Sequence, residues 1–335
     1  MKMKISGEKS EYKQGVAESP KYLMIEPTNR CNLNCRMCSR NELQDIGDME
    51  LPLFQHALEQ LPEVTTVKFQ GLGEAYLAKS WREMLELLAQ RNIKIVSITN
   101  ALWRNIDIPY LMSLLEHMYI SYHAADEQTY ESIVGMGKPA WELLHKNIKT
   151  ITANQGNTHV LFNCVLSDLN YHQAAKIVER AAALNVSHVR FQIMQNWTSD
   201  EEELHDSLQD ISIKQNVLEE LTENLMFAKK RGDELGVEIE LVGNEDFDYT
   251  KCVWPFERTF INKNGDVLPC CMRPNPRYAV GNIRQLSFEK IWKHSEQLNE
   301  MRRKLSNNIP PDMCKDCPYR MAVPILRYVK KSLRM

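Results

Sequence analysis

Three cysteines within eight residues carry the clearest chemical signal in the sequence. Cys31, Cys35 and Cys38 occur in the segment TNRCNLNCRMC, directly after a short apolar run that is typical of a strand. Three thiolates on one short loop can bind three irons of a cubic four-iron, four-sulfur cluster, which leaves the fourth iron open. The spacing therefore predicts an iron–sulfur cluster whose open iron binds a further molecule.

Two simpler interpretations of this loop are weaker. Structural zinc uses four ligands, usually arranged as two close pairs, and no histidine lies nearby in the sequence to complete the set. A disulfide would leave one of the three thiols over, and the N-terminal segment lacks the apolar core of a secretory signal. Nine cysteines without an export signal indicate a reducing, cytoplasmic compartment, where cysteine clusters bind metal or do chemistry.

A second group of cysteines follows late in the chain. Four thiolates suffice to close one further iron–sulfur cluster, and the same set, with its C-x2-C pair, would also satisfy a structural zinc. The cysteines in this part of the chain are Cys252, Cys270, Cys271, Cys314 and Cys317. Cys164 lies within an apolar run, and we interpret it as a buried apolar residue on a strand.

The elements that must position these cysteines alternate between strand and helix patterns. The six strand patterns are KYLMIEP, VTTVKFQG, IKIVSITN, MYISYH, THVLFNCVL and SHVRFQIM. Helical runs separate them, so we expect an α/β fold with a parallel sheet and helices outside it. Barrel folds of this kind place their chemistry on loops at the carboxyl ends of the strands, which is where the first cysteine loop falls.

The alternation breaks in the second half of the chain. A polar, acidic stretch at residues 196–210 interrupts it, and after the run VEIELVG, cysteines, prolines and an Asn264-Gly265 hairpin signal take over. The expected boundaries are residues 1–20 for a flexible N-terminal segment, 21–240 for the barrel and 241–335 for a second, smaller module.

The bulk composition argues against two classes of partner. A formal net charge of -3 and a pI near 6.3 give no broad positive field, so we expect no nucleic acid. The sequence has no apolar run near the roughly 20 residues that a membrane span needs, so we expect no membrane. A small-molecule substrate is the remaining expectation.

The segment IEPTNRCNLNCRMCSR, with its C-x3-C-x2-C spacing after a first strand, closely resembles the radical S-adenosylmethionine (SAM) superfamily. Met37 departs from the pattern, because an aromatic residue commonly stands there. The resemblance implies a partial (β/α)6 TIM-like barrel and a [4Fe–4S] cluster whose open iron binds SAM. It also implies an external one-electron reductant such as flavodoxin or ferredoxin, and a 5′-deoxyadenosyl radical that abstracts hydrogen from a C–H bond.

The resemblance extends to residues that contact SAM in that family. The turn GLGE after the second strand is similar to the family's GGE-type turn, and the run ISYHAADEQTY looks like its fourth-strand segment. The residues implied to contact SAM are Gly71, Gly73, Glu74, Asn100, Ser121 and Asn163. Each of them could instead belong to an ordinary loop or strand end. His123 replaces the family's usual aspartate and either binds substrate, moves a proton or is structural.

The C-terminal cysteines resemble those of SPASM/twitch modules, which hold auxiliary iron–sulfur clusters. The matching segments are GDVLPCC, GNI, Trp292 and CKDC. The resemblance implies Cys252, Cys270, Cys314 and Cys317 as the ligands, and the cysteine count fits one auxiliary [4Fe–4S] cluster of twitch type. Cys271 then is a spare ligand or a thiol that donates hydrogen to a substrate radical, as in some radical SAM epimerases.

The expected function is oxidation or epimerisation of a small polar substrate that resembles a sugar, an aminocyclitol or a nucleoside. A peptide maturase that modifies a ribosomally made precursor is the main alternative, although about 20 residues before the first strand are too few for a folded peptide-binding domain. A non-catalytic iron–sulfur or zinc scaffold is a further alternative, against which the SAM-like turn argues.

Overall fold

The computed structural model describes residues 4–6, 19–38, 40, 45–194, 211–242, 249–315, 317 and 327–328. The acidic stretch at 196–210 lies outside them. The strands are β1 (Lys4–Ser6), β2 (Tyr22–Ile25), β3 (Thr66–Phe69), β4 (Lys94–Thr99), β5 (His117–Ser121), β6 (His159–Leu166), β7 (His188–Ile193), β8 (Glu238–Val242), β9 (Arg258–Ile261), β10 (Asp266–Leu268) and β11 (Gly281–Asn282). The helices are α1 (Leu51–Gln60), α2 (Trp81–Gln90), α3 (Ile108–Leu114), α4 (Glu127–Val134), α5 (Lys138–Ala153), α6 (Ala174–Ala183), α7 (Leu218–Leu235), α8 (Trp254–Glu257), α9 (Phe288–His294) and α10 (Glu296–Ser306).

One continuous sheet organises the protein. Its strand order is β1-β8-β7-β6-β5-β4-β3-β2-β9-β10-β11. Each strand from β3 to β8 pairs in parallel with the strand before it in sequence. Helices connect these strands, so the fold is a partial TIM-like barrel with a small C-terminal module. All six predicted strands are present.

Two observations differ from the expected boundaries. β8 adds a seventh parallel strand, so a boundary between residues 240 and 241 falls inside a strand. Lys4–Ser6 pairs in parallel with β8, within the segment expected to be flexible. β1 gives no local signal, because its partner β8 lies more than 200 residues further along the chain. The run VEIELVG is not counted among the six strand patterns, because it follows the acidic stretch that interrupts the alternation.

The two faces of the sheet have different surroundings. On β3, Val67 and Phe69 are buried and join the apolar core with Phe54 of α1 and Leu88 of α2. Lys68 between them is half-buried, because it points to the opposite face. That opposite face lines the lumen of the partial barrel, where a substrate has access.

The C-terminal module continues the sheet and shares the main apolar core, and it also has a small apolar cluster of its own around Phe256 and Leu305. β9 pairs in parallel with β2, and β10 and β11 follow antiparallel. The predicted Asn264-Gly265 hairpin joins β9 to β10, with Gly265 at φ +88°, a backbone conformation that glycine adopts without strain. Within the described part of the chain, no helix is long and apolar enough to cross a membrane.

Gly232 on α7 tests the close packing of the last barrel helix on β8. A Cβ atom there would lie 2.6 Å from the Val237 carbonyl oxygen and 2.8 Å from Ile239 Cγ1. We expect Gly232→Ala to lower the free energy of unfolding by about 1–3 kcal/mol through overpacking, against the gain of roughly 1 kcal/mol that alanine brings to a helix. Lys230→Ala, exposed on the same helix, should stay within about 0.5 kcal/mol in urea denaturation. A Gly232→Ala midpoint at or above that of the wild type contradicts this packing.

Candidate active site and auxiliary cysteine site

The three-cysteine loop leaves the carboxyl end of β2 and crosses the top of the barrel. Cys31, Cys35 and Cys38 are each partly exposed on it. The Arg36 N–H donates to the Ile133 carbonyl at the end of α4, at 2.9 Å. Met37 packs against a small apolar cluster that contains Met194. The loop is therefore held over the lumen from several sides.

Asp48 anchors the residues just before the first cysteine. Its Oδ1 accepts the Thr28 hydroxyl at 2.7 Å, and its two oxygens accept a bidentate pair from Arg30 at 2.8 and 2.6 Å. A bidentate guanidinium–carboxylate pair fixes orientation as well as distance. The sequence analysis missed Asp48, because nothing local in the sequence links it to a loop 18 residues away.

The three thiols lie close enough to influence one another. Burial, together with charge on Cys38 and Cys31, raises the pKa of Cys35 to about 12. Iron would hold such thiols as thiolates, so the donor set fits a cluster. No three Cys, His, Asp or Glu side chains among the described residues converge as ligands of a single metal ion. In a cubic cluster the cysteines bind different irons and need not converge.

The GLGE turn after β3 packs directly on this loop. The Glu74 N–H donates to the Arg30 carbonyl at 2.8 Å. A Cβ atom at Gly73 would lie 2.4 Å from the same carbonyl oxygen, so only glycine permits this approach. The structure thus brings Gly71, Gly73 and Glu74 beside the cysteine loop, and their contact with SAM stays a prediction.

The Glu74 carboxylate is used inside the protein. It is 3% exposed and accepts hydrogen bonds from the Thr99 hydroxyl at 2.7 Å, the Asn100 N–H at 2.8 Å and the Trp103 indole at 3.1 Å. Burial raises the pKa of Glu74, and these donors oppose that shift. In the structure this acid fixes the end of β4 through Thr99 and Asn100, and its predicted contact with SAM stays a prediction.

Asn100 lies against the cysteine loop. Its side-chain nitrogen is 3.8 Å from Cys31 Sγ and 2.8 Å from Asn32 Oδ1. Hydrogen bonds to cluster sulfurs are one of the factors that set a cluster's reduction potential. The residue predicted to contact SAM is therefore positioned to act on the first cluster ligand.

Two of the buried side-chain oxygens that lack a hydrogen-bond partner within the described residues lie beside the predicted SAM residues. They are Asn163 Oδ1 on β6 and Gln70 Oε1 just after β3. Ser121, on β5, is the register partner of Asn163. A buried acceptor without a donor is costly, so these atoms fit an exogenous donor such as a hydroxyl group. The sequence analysis named Ser121 and Asn163 and missed Gln70, which precedes the turn it had singled out.

His123 has a defined tautomer. Its Nδ1 accepts the Val165 N–H at 3.2 Å, so the proton of the neutral ring lies on Nε2. Burial lowers the pKa of His123 to about 4. The free ring nitrogen is therefore a hydrogen-bond donor near neutral pH, which suits substrate binding better than proton abstraction.

The C-terminal module brings four cysteine sulfurs together. Burial raises the pKa of Cys252, and charge on Cys270 and Cys317 raises it further. Burial also raises the pKa of Cys314, and charge on Cys270 and Cys252 acts in the same direction. These mutual effects place the four predicted ligands in one group, which fits a closed cluster.

Cys271 differs from its neighbour Cys270. It packs against Met24 and Phe260, which are register partners on β2 and β9. Its thiol donates to Cys270, and that contact lowers the pKa of Cys270. Cys271 therefore lies in the wall between the barrel and the auxiliary cysteines. Cys164 is fully buried on β6, as predicted.

A partial α/β barrel with three cysteines on its first core loop, joined to a module with four more, defines an iron–sulfur enzyme with two cluster sites. The chain belongs to the radical SAM superfamily, which it matches over residues 25–181, and carries a SPASM iron–sulfur cluster-binding domain over residues 252–318. It therefore uses SAM and a [4Fe–4S] cluster, with an auxiliary cluster in the second domain, and it needs a one-electron reductant.

Relatives of known name cover most of the chain. The tungsten-containing aldehyde ferredoxin oxidoreductase cofactor-modifying protein of Pyrococcus furiosus is 26% identical and covers 92% of this chain and 90% of that protein. The PqqA peptide cyclase of Gluconobacter oxydans is 24% identical and covers 89% of this chain and 82% of that protein. Streptococcus suis SuiB bound to precursor peptide SuiA has a TM-score of 0.66 at 17% identity, covering 86% and 67% of the two chains. That likeness confirms the fold.

The expected sugar-, aminocyclitol- or nucleoside-like substrate is wrong. The similar proteins include a peptide cyclase, and a protein of the same fold binds a precursor peptide. The sequence argument relied on the number of auxiliary cysteines and on the length of the N-terminal segment. Neither feature describes the side chains that line the lumen, so neither could determine the class of the substrate.

The depressed pKa of His123 predicts a pH-dependent stability. The unfolded chain takes up this proton near pH 6.5, and the folded protein takes it up near pH 4. Between these values the unfolded state binds more protons, so stability falls as pH falls, by up to about 1.4 kcal/mol per unit. His123→Gln should flatten that slope in urea denaturation between pH 6.5 and 4.5, and an unchanged slope contradicts the assignment. Ring ¹⁵N shifts should show the Nε2–H tautomer at pH 7.

Proposed function

We propose that this enzyme removes a hydrogen atom from a residue of a peptide and completes an oxidation or an epimerisation there. The match to PqqA peptide cyclase over 89% of the chain carries the proposal. The binding of a precursor peptide by a protein of the same fold supports it. A peptide substrate also agrees with the shape of the sheet.

The lumen has an open side. The sheet ends at β1 in one direction and at β11 in the other, with no pairing between them among the described residues. A closed barrel admits substrates only from its ends, whereas an open sheet also admits an extended chain from the side. Lumen-facing residues such as Lys68, Tyr119 and Gln192 keep part of their surface exposed.

The chain's own residues have distinct roles in this proposal. Cys31, Cys35 and Cys38 bind the first cluster, which together with SAM supplies the 5′-deoxyadenosyl radical when bound. Cys252, Cys270, Cys314 and Cys317 bind the auxiliary cluster. Ser121 and Asn163 face SAM from β5 and β6, and the free Asn163 oxygen accepts one of its hydroxyl groups.

Cys271 distinguishes the two outcomes at the substrate carbon. Once the hydrogen atom has passed to the 5′-deoxyadenosyl radical, the substrate radical has two outcomes. In an oxidation it gives an electron to the auxiliary cluster and a proton to solvent. In an epimerisation it gains a hydrogen atom from a thiol, and the thiyl radical then returns to the thiol by taking an electron from the auxiliary cluster and a proton from solvent. Cys271 lies in the lumen wall against Met24 and Phe260. It is therefore the proposed hydrogen donor for epimerisation, and His123 is the proposed donor of a hydrogen bond to the substrate.

The reductant is proposed to be a flavodoxin or a ferredoxin, in a cytoplasmic setting. Cys31, Cys35 and Cys38 are partly exposed. This exposure supports the approach of an external one-electron donor to the cluster they are proposed to bind. Iron–sulfur clusters bound by cysteine thiolates suit a reducing compartment, which supports the cytoplasmic location.

Modification of the cofactor of an oxidoreductase is a second candidate function. The relative from Pyrococcus furiosus is named for that role, and it covers 92% of this chain. The two candidates differ in the size and chemistry of the substrate, so a direct assay separates them.

The assay uses reconstituted enzyme with SAM and reduced flavodoxin in deuterated water. The probes are a random-sequence peptide library and the cofactor extracted from a tungsten-containing oxidoreductase. We expect peptides that lose two hydrogens or gain one solvent deuterium, detected by mass spectrometry. If deuterium enters, Cys271→Ala should abolish its entry and leave 5′-deoxyadenosine formation intact, with Cys164→Ala as the matched control.

Two results contradict the proposal. Modification of the extracted cofactor with every peptide unchanged shows that the substrate is not a peptide. Retained deuterium entry in Cys271→Ala removes that thiol as the hydrogen donor.

A further inference from the structure

Glu26 is a buried acid that the reaction scheme above does not use. It follows β2 directly and precedes the first cysteine by five residues. Its side chain is 4% exposed, and its own N–H donates to the Ile261 carbonyl of β9 at 3.0 Å. The residue therefore lies where the barrel and the SPASM domain meet.

The carboxylate joins two turns that belong to different domains. Glu26 Oε2 accepts the Leu72 N–H of the GLGE turn at 2.8 Å, and Oε1 lies 3.5 Å from the Lys263 N–H of the β9–β10 hairpin. Leu72 lies in the turn that resembles the family's SAM-binding turn. Lys263 lies in the domain that holds the auxiliary cysteines.

Gly71 packs directly against the Glu26 side chain. A Cβ atom at Gly71 would lie 2.2 Å from Glu26 Cγ and 2.3 Å from Glu26 Oε2. No side chain fits in that space, so glycine is required here by the acid beneath the turn. The turn is thereby pressed onto the carboxylate.

The β9–β10 hairpin also forms hydrogen bonds with Asp45, which in turn contacts the segment before the cysteine loop. Lys263 Nζ and Asn264 Nδ2 both donate to the Asp45 carboxylate, at 2.8 and 2.7 Å. The Asp45 carbonyl in turn accepts from Asn29 Nδ2 at 2.7 Å. Glu26 thus lies at the centre of contacts that reach the SAM turn, the cysteine loop and the SPASM hairpin.

A buried carboxylate is stable only where donors compensate for its lost hydration. Burial raises the pKa of Glu26, and the Leu72 and Lys263 N–H groups together with the Lys263 charge oppose this shift. Removing the acid leaves two backbone donors buried without an acceptor, which loosens both turns.

We propose that Glu26 is a positioning residue that fixes the SAM turn against the SPASM hairpin, so that the auxiliary domain supports SAM binding. This inference rests on the proposed role of residues 71–74 in SAM binding. It assigns a contact between the domains, and no direct contact of Glu26 with SAM is required.

The test compares Glu26→Ala with Glu26→Gln, whose amide oxygen still accepts the Leu72 N–H. We expect Glu26→Ala to raise the Kd for SAM of the reconstituted protein about tenfold, with its iron content unchanged. Glu26→Gln should stay within about threefold of the wild type. Glu63→Ala, at an exposed acid before β3, is the matched control. Hydrogen exchange should quicken in Glu26→Ala at both residues 70–74 and 262–266.

Several results overturn the inference. They are an unchanged Kd in Glu26→Ala, equal losses in the Gln and Ala variants, or faster exchange in one turn only. If Glu26→Ala loses iron, Glu26→Asp serves as the deciding variant. Its shorter side chain keeps the negative charge but moves the carboxylate away from the Leu72 N–H. That variant should weaken SAM binding with full iron, and wild-type affinity overturns the inference. Gly73→Ala distinguishes a failure of this inference from a failure of the proposed function. If both Glu26→Ala and Gly73→Ala leave SAM binding unchanged, the turn at residues 71–74 is not the SAM site.

Discussion

The parallel pairing of β2 on both of its edges is the constraint on which the site depends. Met24 of β2 is in register with Lys68 of β3 on one side and with Phe260 of β9 on the other. Parallel strands end at the same edge of a sheet, so the cysteine loop emerges between the GLGE turn and the SPASM hairpin. One strand thereby places the three-cysteine loop, the GLGE turn and the auxiliary domain side by side.

Buried acids complete this arrangement. Asp48 holds the segment before Cys31, Glu74 holds the end of β4, and Glu26 holds the turn and the hairpin. Each accepts several donors from backbone or side chains, which offsets the cost of burying a charge. The loop predicted to bind the cluster is thus shaped by the protein's own contacts, which lowers the entropic cost of ordering it when a cofactor binds.

Much of this could be predicted from the sequence, because the relevant signals are local. The C-x3-C-x2-C spacing, the strand runs and the Asn264-Gly265 turn each lie within a few residues. Glu26, Trp103 and Asp48 gave no such signal, because their partners lie 46, 29 and 18 residues away. Substrate class depends on lumen side chains that share no sequence pattern, and the resemblance alone led to the wrong class.

The most direct test of the account is the paramagnetic resonance spectrum of the reduced, reconstituted protein with and without SAM, together with its iron content. The account predicts about eight irons per chain and two cluster signals, of which one changes when SAM is added. In the Cys31/Cys35/Cys38→Ala variant the SAM-sensitive signal should vanish, with about four irons retained. Zinc in place of iron, or two signals that ignore SAM, would contradict the assignment of a radical SAM site to this loop.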